Sequence, residues 1–491
     1  MPMTAEADRM PAPIPSRIDL YPFQRRLGEI MSVPTAAIAP TETIDAAIAE
    51  MARQKSSCLI VLDAHHRPIG IVTEYDIIQA LAADHAEALG KSVATIMSAP
   101  VASLAPDAYL YAAIARMTRR NIRHLAVTDP IDGRLVGILY LSSVLRQRAE
   151  DALALQNDIA DANSSDDLLQ ANARLPHLAA ALRREQLRPE QIANVIGTAY
   201  CDLTARAADL ALKEMAAAGK GDAPARWCLL ILGSAGRGES LLAADQDNAL
   251  IHDGEEDDHP WFADFSQRVA DLLDVAGLPY CRGGVMAAKR DLRHNGKGWR
   301  RCITAWLEAA TPEALLNADI FYDFRPVAGT FRLAASLRAE AITSARGHRV
   351  FHALLAKGIG RKGSALGLLG KFKTRGGRVD LKAHGLQPLV AGARVLALEL
   401  GLATTSTLNR WRAAAAAQLV SEDDLARIED AFSLILGLIL DQQLADQEIG
   451  LAPSADVEIK HLVSIDKERL RRALHMVDEI DLLVRNALGL I

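Results

Sequence analysis

The sequence is poor in aromatic residues and contains neither a long apolar run nor a paired cysteine motif. Phe, Trp and Tyr make up 4% of its 491 residues, so the buried cores must consist mainly of Ala, Leu, Ile and Val. No segment has the roughly 18 consecutive apolar residues that a membrane-spanning helix needs, and we expect no membrane partner. The five cysteines form no CxxC pair, which predicts buried thiols in a reducing, cytoplasmic compartment.

Positive charge is not in excess either. Lys and Arg total 55 against 61 Asp and Glu, for a net charge of −6. Dedicated nucleic-acid binders are usually basic, so nucleic acid is not an expected partner. Locally, the stretch from Lys357 to Lys382 holds eight basic residues and one acid. This basic stretch could face phosphates or an acidic partner, or it could be a solvated loop.

An internal repeat organises the first third of the chain. The segments Ile30–Ser32, Ala47–Met51 and Leu59–Asp63 recur 66 residues later. Each copy has the pattern helix, strand, turn, strand, helix, because a helically spaced apolar face precedes two short apolar runs around a polar turn. A unit of about 60 residues buries too little apolar surface to be stable alone. We therefore expect the two copies to pack against each other.

This repeat resembles a tandem pair of CBS domains, a regulatory module that often binds adenine nucleotides between its copies. The resemblance implies a nucleotide-binding motif at Gly70–Asp76, in which the Thr73 hydroxyl meets a phosphate and the Asp76 carboxylate accepts the ribose hydroxyls. The same two residues could instead cap the following helix. The second copy has Tyr140 and Ser143 at these positions, so we expect at most one nucleotide per pair. The resemblance also implies a homodimer formed through the CBS pair.

The most informative motif follows an Ala- and Leu-rich helical stretch. The apolar run Trp227–Leu232 predicts a buried strand that ends in a glycine-rich turn, Gly233–Gly238. Such a turn opens a helix whose free backbone N–H groups can bind an anion. Eleven residues after Ser234, Asp245 and Asp247 begin a second predicted strand. Alternation puts both carboxylates on one face, where they repel each other unless a divalent cation such as Mg²⁺ lies between them.

Together these residues resemble the nucleotidyltransferase signature of the polymerase-β superfamily, a Gly-Ser pair followed by an acidic–apolar–acidic–apolar run. Gln246 and Asn248 depart from it, since apolar residues are usual there. The variant Gly-Ser-x-Gly-Arg-x-Glu with Asp-Gln-Asp-Asn resembles a branch in which the transferase is linked to CBS pairs. That branch is related to adenylyltransferases and uridylyltransferases that act on glutamine synthetase and the PII signal protein. The resemblance thus implies an enzyme of signal transduction.

The resemblance also implies the parts of the active site. Asp245 and Asp247 would hold two Mg²⁺ ions on the triphosphate of ATP or UTP, together with a third carboxylate from a neighbouring strand. We expect Asp323 in that role because x-Arg-Pro follows it, with Asp319 as the alternative on the same strand face. The β- and γ-phosphates would be held by Gly233, Ser234, Gly236 and Arg237. For Arg237, an ion-paired structural role is an equal alternative.

The predicted fold class is α/β plus all-α. We expect a disordered N-terminus, a tandem CBS pair, a helical connector, a polymerase-β-type nucleotidyltransferase domain and a C-terminal helical domain. Their boundaries are 1–28, 29–150 (copies 29–88 and 89–150), 151–225, 226–340 and 341–491. The last of these resembles the helical domain that accompanies such transferases.

The predicted function is Mg-dependent transfer of an NMP from an NTP to an acceptor, regulated by adenine nucleotide at the CBS pair. The family resemblance favours a protein hydroxyl as the acceptor. Two alternatives stay open, namely a nucleotide sensor whose transferase domain has lost turnover, and an enzyme that modifies RNA ends. The intact Gly-Ser turn and acidic pair weigh against the first, and the acidic net charge weighs against the second.

Overall fold

The computed structural model describes residues 25–33, 35–142, 154–309, 318, 320–360, 363–367 and 370–490. The chain divides into two compact units, Met1–Asp151 and Ala152–Ile491. Of the segment predicted to be disordered, residues 1–24 lie outside the described part. Its end is folded, because Leu27–Glu29 form a 3-10 helix and the Leu27 N–H donates to the Ala108 carbonyl at 3.0 Å.

In the Met1–Asp151 unit, each repeat forms its own three-stranded sheet. The first copy consists of β1 (Ala37–Ile38), α1 (Ile44–Gln54), β2 (Cys58–Leu62), β3 (Pro68–Thr73) and α2 (Glu74–Asp84). The second consists of β4 (Ser103–Leu104), α3 (Leu110–Arg120), β5 (His124–Thr128) and β6 (Leu135–Tyr140). The middle strand of each sheet pairs parallel with the first strand and antiparallel with the third. The predicted order of helix, strand, turn and strand is confirmed in both copies; residues 143–150, where the second closing helix is predicted, lie outside the described part.

The two copies interlock through their Ile-Met-Ser segments. Ser32 pairs with Ile138 in the second hairpin, and Ser98 pairs with Ile71 in the first. A Cβ at Gly70 would lie 2.7 Å from the Sδ of the second segment's methionine, so glycine is what lets this segment approach the strand. Each copy therefore covers part of the other, as expected for units too small to be stable alone.

The Ala152–Ile491 unit is built around a four-stranded sheet. Its strands are β7 (Trp227–Ile231), β8 (Asn248–His252), β9 (Arg293–Asn295) and β10 (Arg325–Gly329). They lie in the order β10–β7–β8–β9, and only β8 and β9 run parallel among these four. The helices around them are α4 (Ser165–Asn172), α5 (Leu175–Arg184), α6 (Pro189–Ala217), α7 (Gly233–Arg237), α8 (Pro260–Val275) and α9 (Gly296–Ala309).

Alternate residues of β7 enter two different cores. Trp227 and Leu229 pack with α4, α5, α6 and α8. Cys228 and Leu230 pack with α9 and the C-terminal helices. Because helices cover both faces, every residue of β7 and β8 is buried, as is typical of a sheet between two helical layers. Helix α6, which the sequence assigns to a connector, is therefore part of the core that supports the sheet.

The C-terminal region is helical, as predicted. Its helices are α10 (Phe331–Ala345), α11 (Arg349–Ile359), α12 (Gln387–Leu400), α13 (Thr407–Ala416), α14 (Glu422–Glu448) and α15 (Ser464–Ala487). The sequence did not predict the antiparallel ribbon of β11 (Arg378–Asp380) and β12 (Asp456–Glu458), or the π-helical turn Lys382–Leu386 that leads into α12. None of the helices in the described ranges is long and apolar enough to cross a membrane.

The strand predicted to carry Asp319 and Asp323 on one face is wrong. Residues 320–321 are helical, residues 322–323 form a turn, and β10 begins only at Arg325. Alternation fails here because four consecutive side chains are buried, those of Phe321, Tyr322, Asp323 and Phe324. Asp319 lies outside the described residues.

Candidate active site

The glycine-rich turn follows β7 directly and forms the short helix α7. Gly233 has φ +57° and Gly238 has φ +70°, backbone conformations that favour glycine. A Cβ at Gly233 would also lie 2.6 Å from Oδ2 of Asp247. Glycine at this position therefore lets the turn approach the second carboxylate of the acidic pair.

Ser234 is the second residue of this turn. Its Oγ lies 3.0 Å from the Oγ of Ser240, which is fully buried. Ser234 also lines a pocket together with Thr204, Asp245 and Asp247. The structure thus brings together the serine and the two carboxylates that the sequence singled out.

The acidic pair lies on an extended segment just before β8, and not within a strand as predicted. The backbone is held by the N–H of Leu232, which donates to the carbonyl of Asp247 at 2.8 Å. Between the two carboxylates, Gln246 is buried, and its Nε2 donates to the carbonyls of Ala270 and Leu278 at 2.9 and 2.8 Å. The glutamine that departs from the family signature is therefore an anchor for the segment. Its burial leaves Asp245 exposed and Asp247 half-buried.

A third potential ligand at this pair is a thiol that the sequence analysis did not select. Ligand atoms of Asp245, Asp247 and Cys281 all lie within 4.8 Å of one another. Cys281 belongs to the loop after α8. No pattern in the sequence singles it out, because an isolated cysteine carries no spacing signal.

The electrostatics of the pair favour a cation. Burial raises the pKa of Asp247 to about 6, and the charge of Asp245 acts in the same direction. The Cys281 thiol, Lys382 and Arg237 lower it, but they do not offset the first two effects. Two oxygen donors at this separation suit a divalent ion, which would relieve the repulsion between them. The residues present therefore fit the Mg²⁺ that the family resemblance implies.

Asp323 occupies a different environment. It is fully buried, and arginines reach both of its carboxylate oxygens. Arg237 Nη1 donates to Oδ2 at 2.6 Å, and Arg410 Nη1 donates to Oδ1 at 2.7 Å. Arg394 Nε donates to Oδ1 at 3.2 Å. Burial alone would raise the pKa of Asp323, but Arg394, Arg410 and Arg237 hold it well below its usual range.

These contacts differ from the prediction that Asp323 is a third metal ligand. Guanidinium groups already use both oxygens of this carboxylate, and the group of ligand atoms around the acidic pair contains Cys281 and not Asp323. The difference follows from the local backbone, because Asp323 lies in a buried turn before β10 and not on a strand beside the pair. It leaves Asp323 as the centre of an arginine cluster.

The same cluster joins the glycine-rich turn to the C-terminal helices. Arg237 Nε donates to Glu239 at 2.7 Å, and Glu239 accepts the N–H and hydroxyl of Thr407 at 2.6 and 2.8 Å. A Cβ at Gly236 would lie 2.1 Å from the carbonyl oxygen of Asp323. Arg237, predicted to hold phosphates, is thus itself a member of the arginine cluster, and Gly236, predicted to do the same, packs against the backbone of Asp323.

In the Met1–Asp151 unit, Thr73 and Asp76 form a helix cap. The N–H and hydroxyl of Thr73 donate to Asp76 Oδ2 at 2.8 and 2.7 Å, and the Asp76 N–H donates to the Thr73 hydroxyl at 3.4 Å. This capping box begins α2. Asp76 also lines a pocket with Lys91 and Thr95. In the second copy, the Tyr140 hydroxyl lies 3.4 Å from Ser56 Oγ, and Ser143 lies outside the described residues.

Comparison with known families assigns most of the chain. The model described as "CBS domain" matches residues 27–83 and 93–150. The model described as "Putative nucleotidyltransferase DUF294" matches residues 173–313. The model described as "Putative nucleotidyltransferase substrate binding domain" matches residues 349–487. The second match begins within the segment predicted as a connector, in agreement with the position of α6 in the core.

Individual relatives cover about a quarter of the chain. An uncharacterized protein of Methanopyrus kandleri is 26% identical over 120 residues, which is 24% of this chain and 61% of that protein. An uncharacterized 17.7 kDa protein of Acidianus ambivalens is 27% identical over 121 residues, or 25% of this chain and 71% of that protein. The chain thus spans about three fifths of the length of the first of these relatives.

Solved structures of CBS proteins align with a similar share. A CBS domain protein of Pyrobaculum aerophilum, complexed with AMP, is 27% identical and covers 26% of this chain and 94% of its own, with a TM-score of 0.24. A CBS-domain-containing protein of Agrobacterium tumefaciens is 25% identical and covers 25% of this chain and 98% of its own, with a TM-score of 0.23. The family models and the geometry together identify the chain as a CBS-domain-linked member of the DUF294 nucleotidyltransferase family, with its substrate-binding domain at the C-terminal end.

Proposed function

We propose that the Ala152–Ile491 unit transfers an NMP from ATP or UTP to an acceptor hydroxyl. The observation that carries this proposal is the convergence of Asp245 and Asp247 beside Ser234 in one pocket. The raised pKa of Asp247, about 6, marks a site short of positive charge. Asp245 and Asp247 would hold Mg²⁺, which when bound would neutralise charge on the triphosphate.

The chain's own residues then bind and orient the nucleotide. Ser234 and the backbone N–H groups of the turn bind the β- and γ-phosphates, so that pyrophosphate leaves toward α7. Attack of the acceptor hydroxyl forms its bond to the α-phosphorus while the bond to pyrophosphate breaks, and the hydroxyl proton is released to solvent. The family resemblance favours a protein side chain as the acceptor. The C-terminal domain, whose family description names substrate binding, is where we expect it to bind.

Asp323 stabilises this site through hydrogen bonds with arginines. It accepts hydrogen bonds from Arg237 in the turn and from Arg394 and Arg410 in the C-terminal helices. We assign it the role of positioning the glycine-rich turn against the substrate-binding domain. The positioning role replaces the metal-ligand role that its sequence context suggested.

The CBS pair is proposed to bind one adenine nucleotide and to regulate transfer. Thr73 and Asp76 retain the groups that a phosphate and a ribose need, whereas the second copy has Tyr140 in place of the threonine. Regulation requires that the nucleotide bind two conformations unequally. We further propose a homodimer through the CBS pair, and a cytoplasmic location because Cys58, Cys201, Cys228, Cys281 and Cys302 are all free.

Nucleotide transfer is tested with labelled ATP and UTP in a cell lysate freed of small molecules, with pyrophosphate release measured in parallel. The full chain should label a protein in the presence of Mg²⁺. Asp245→Asn with Asp247→Asn should lower the rate more than about a hundredfold, because an amide cannot balance a divalent ion. Asp274→Asn, an exposed aspartate at the end of α8, is the control and should keep full activity. Full transfer by the double variant would rule out the proposal.

Nucleotide binding by the CBS pair is tested by calorimetry with AMP on the full chain carrying both of these asparagines, so that the transferase pocket contributes little. One AMP should bind per chain. Asp76→Asn keeps an oxygen for the cap but loses the charge-assisted ribose contact, and should weaken binding roughly ten- to a hundredfold. Asp107→Asn, at an exposed position in the second copy, should bind normally. Unchanged affinity in Asp76→Asn would mean that Asp76 serves only as a helix cap.

A further inference from the structure

The loop after α8 brings a thiol to the acidic pair. We propose that Cys281 is a ligand of the metal site, so that Asp245, Asp247 and Cys281 form a mixed oxygen–sulfur site that also binds thiophilic divalent ions such as Co²⁺. This inference rests on the proposed function, because it takes the acidic pair as the metal site of the transferase. It adds a residue that the nucleotidyltransferase signature does not contain.

Backbone hydrogen bonds fix the thiol in this position. Gln246 and Tyr280 form a parallel bridge, so the next residues on each side, Asp247 and Cys281, lie next to each other. The Gln246 N–H donates to the Pro279 carbonyl at 3.1 Å, and the Gly284 N–H donates to the Cys281 carbonyl at 3.0 Å. Main-chain contacts in both segments therefore place Asp247 and Cys281 side by side.

The arrangement at Cys281 differs from that at the other cysteines. Cys58, Cys201 and Cys228 are buried. Cys302 is half-buried like Cys281, but its Sγ lies 3.2 Å from Nε2 of His294. Within the described part of the chain, the only group of three His, Cys, Asp or Glu ligands is the one at Cys281. Cys302 is therefore a matched control, with similar exposure but outside any such ligand group among the described residues.

The preference of each metal ion for oxygen or sulfur ligands determines whether it binds the Cys281 thiol. Mg²⁺ prefers oxygen ligands and would leave the thiol protonated. Borderline ions such as Co²⁺ and Zn²⁺ accept thiolate ligands readily. On binding such an ion, the Cys281 S–H bond breaks, a sulfur–metal bond forms, and one proton is released to solvent. The site should therefore discriminate between Mg²⁺ and thiophilic ions through one side chain.

The test is a Co²⁺ titration of the full chain after chelator treatment, followed by near-ultraviolet absorbance and calorimetry. A thiolate-to-cobalt charge-transfer band should grow with one Co²⁺ bound. Cys281→Ser should lose the band and bind Co²⁺ at least about tenfold more weakly, with the Mg²⁺ affinity changed less than about twofold. Cys302→Ser should keep the band, and Asp247→Asn should lose both the band and Co²⁺ binding.

The outcomes separate the two proposals. Co²⁺ bound at the acidic pair without a charge-transfer band, or a band that persists in Cys281→Ser, would overturn the role of Cys281 and leave the metal site standing. A protein that binds neither Mg²⁺ nor Co²⁺, with or without added NTP, would overturn the inference and the proposed transferase site together.

Discussion

The Ala152–Ile491 unit holds two sets of carboxylates in opposite electrostatic surroundings. Asp323 is fully buried among three arginines, which hold its pKa well below the usual range. Asp247 is half-buried beside Asp245, and its pKa is raised to about 6. The glycine-rich turn lies between them, since Gly233 approaches the Asp247 side chain and Gly236 approaches the Asp323 backbone.

This comparison separates carboxylates that hold the fold together from those available to a ligand. The charge of Asp323 is balanced within the protein, so the carboxylate joins elements of the transferase and C-terminal domains. Around Asp247, the effects of burial and of the Asp245 charge exceed those of Lys382 and Arg237, which is why we propose that this pair binds a cation. Under the proposed function, the candidate reactive carboxylate is therefore the one with a raised pKa and not the most deeply buried one.

The largest effect should come from Asp323→Asn. Removing one partner from a buried ion cluster leaves uncompensated positive charge and costs about 3–5 kcal/mol in free energy of unfolding. Denaturant unfolding of the full chain measures it, read on the transition of the Ala152–Ile491 unit. Asp441→Asn is the matched control, because Asp441 also meets an arginine at 2.7 Å, but on the surface. That exposed pair should contribute less than about 1 kcal/mol. If Asp323→Asn and Asp441→Asn lost equal free energy of unfolding, the buried cluster would stabilise the fold no more than an exposed ion pair does.

The second prediction concerns how stability depends on pH in metal-free buffer. Removing the Asp247 carboxylate should stabilise the fold, whereas removing that of Asp323 should destabilise it. The pKa of Asp247 is about 6 in the folded protein, against an ordinary value of 3.8. Between pH 4 and 6 the folded state thus binds more protons than the unfolded state, and stability falls as pH rises through this range. Asp247→Asn lacks this loss. Relative to the wild type, it should therefore gain about 1–3 kcal/mol of stability from pH 4 to pH 7.

The charged and titratable groups that face Asp247 are Asp245, Cys281, Lys382 and Arg237. Asp245→Asn measured alongside identifies how much the Asp245 charge contributes to the raised pKa of Asp247. Thermal unfolding in chelator at several pH values provides the data. If the difference in free energy of unfolding between the wild type and Asp247→Asn stayed constant from pH 4 to 7, the pKa of Asp247 would not be raised in the folded protein.

Local patterns predicted the elements whose causes are local. The repeat, the β7 strand and the turn at Gly233 and Ser234 follow from apolar spacing and glycine placement, and the structure contains all of them. The family resemblance added the expectation that the acidic pair binds metal ions. The side of the segment on which Asp245 and Asp247 lie was also predictable, because the buried Gln246 between them alternates with both.

Contacts between distant segments could not be predicted in this way. Cys281 joins the acidic pair only through the Gln246–Tyr280 bridge, and Arg394 and Arg410 reach Asp323 from helices about 70 or more residues away in sequence. The strand predicted to carry Asp323 is absent because the prediction assumed a half-exposed strand with period-2 alternation. A segment buried on all sides has no such period, so its carboxylate could not be assigned to a face.

The smallest expected effect concerns a lysine of the C-terminal domain whose charge acts on the acidic pair. Lys382, at the start of the π-helical turn before α12, lowers the pKa of Asp247 through its charge. Like Arg394 and Arg410 at Asp323, it is a positive charge that lowers the pKa of a carboxylate. Its side chain is exposed, however, and within the described residues it donates no hydrogen bond to Asp247. Its coupling to Asp247 should therefore be only about 0.2–1 kcal/mol, as for exposed ion pairs.

A double-mutant cycle of Lys382→Met and Asp247→Asn measures this coupling, with Lys371→Met, exposed in the same basic stretch, as the control. The coupling should shrink in high salt because exposed charges are screened, whereas the cost of Asp323→Asn should persist. If Lys371 coupled to Asp247 as strongly as Lys382, the basic stretch would act on the pair through its overall charge, and the parallel between the two carboxylate sites would fail.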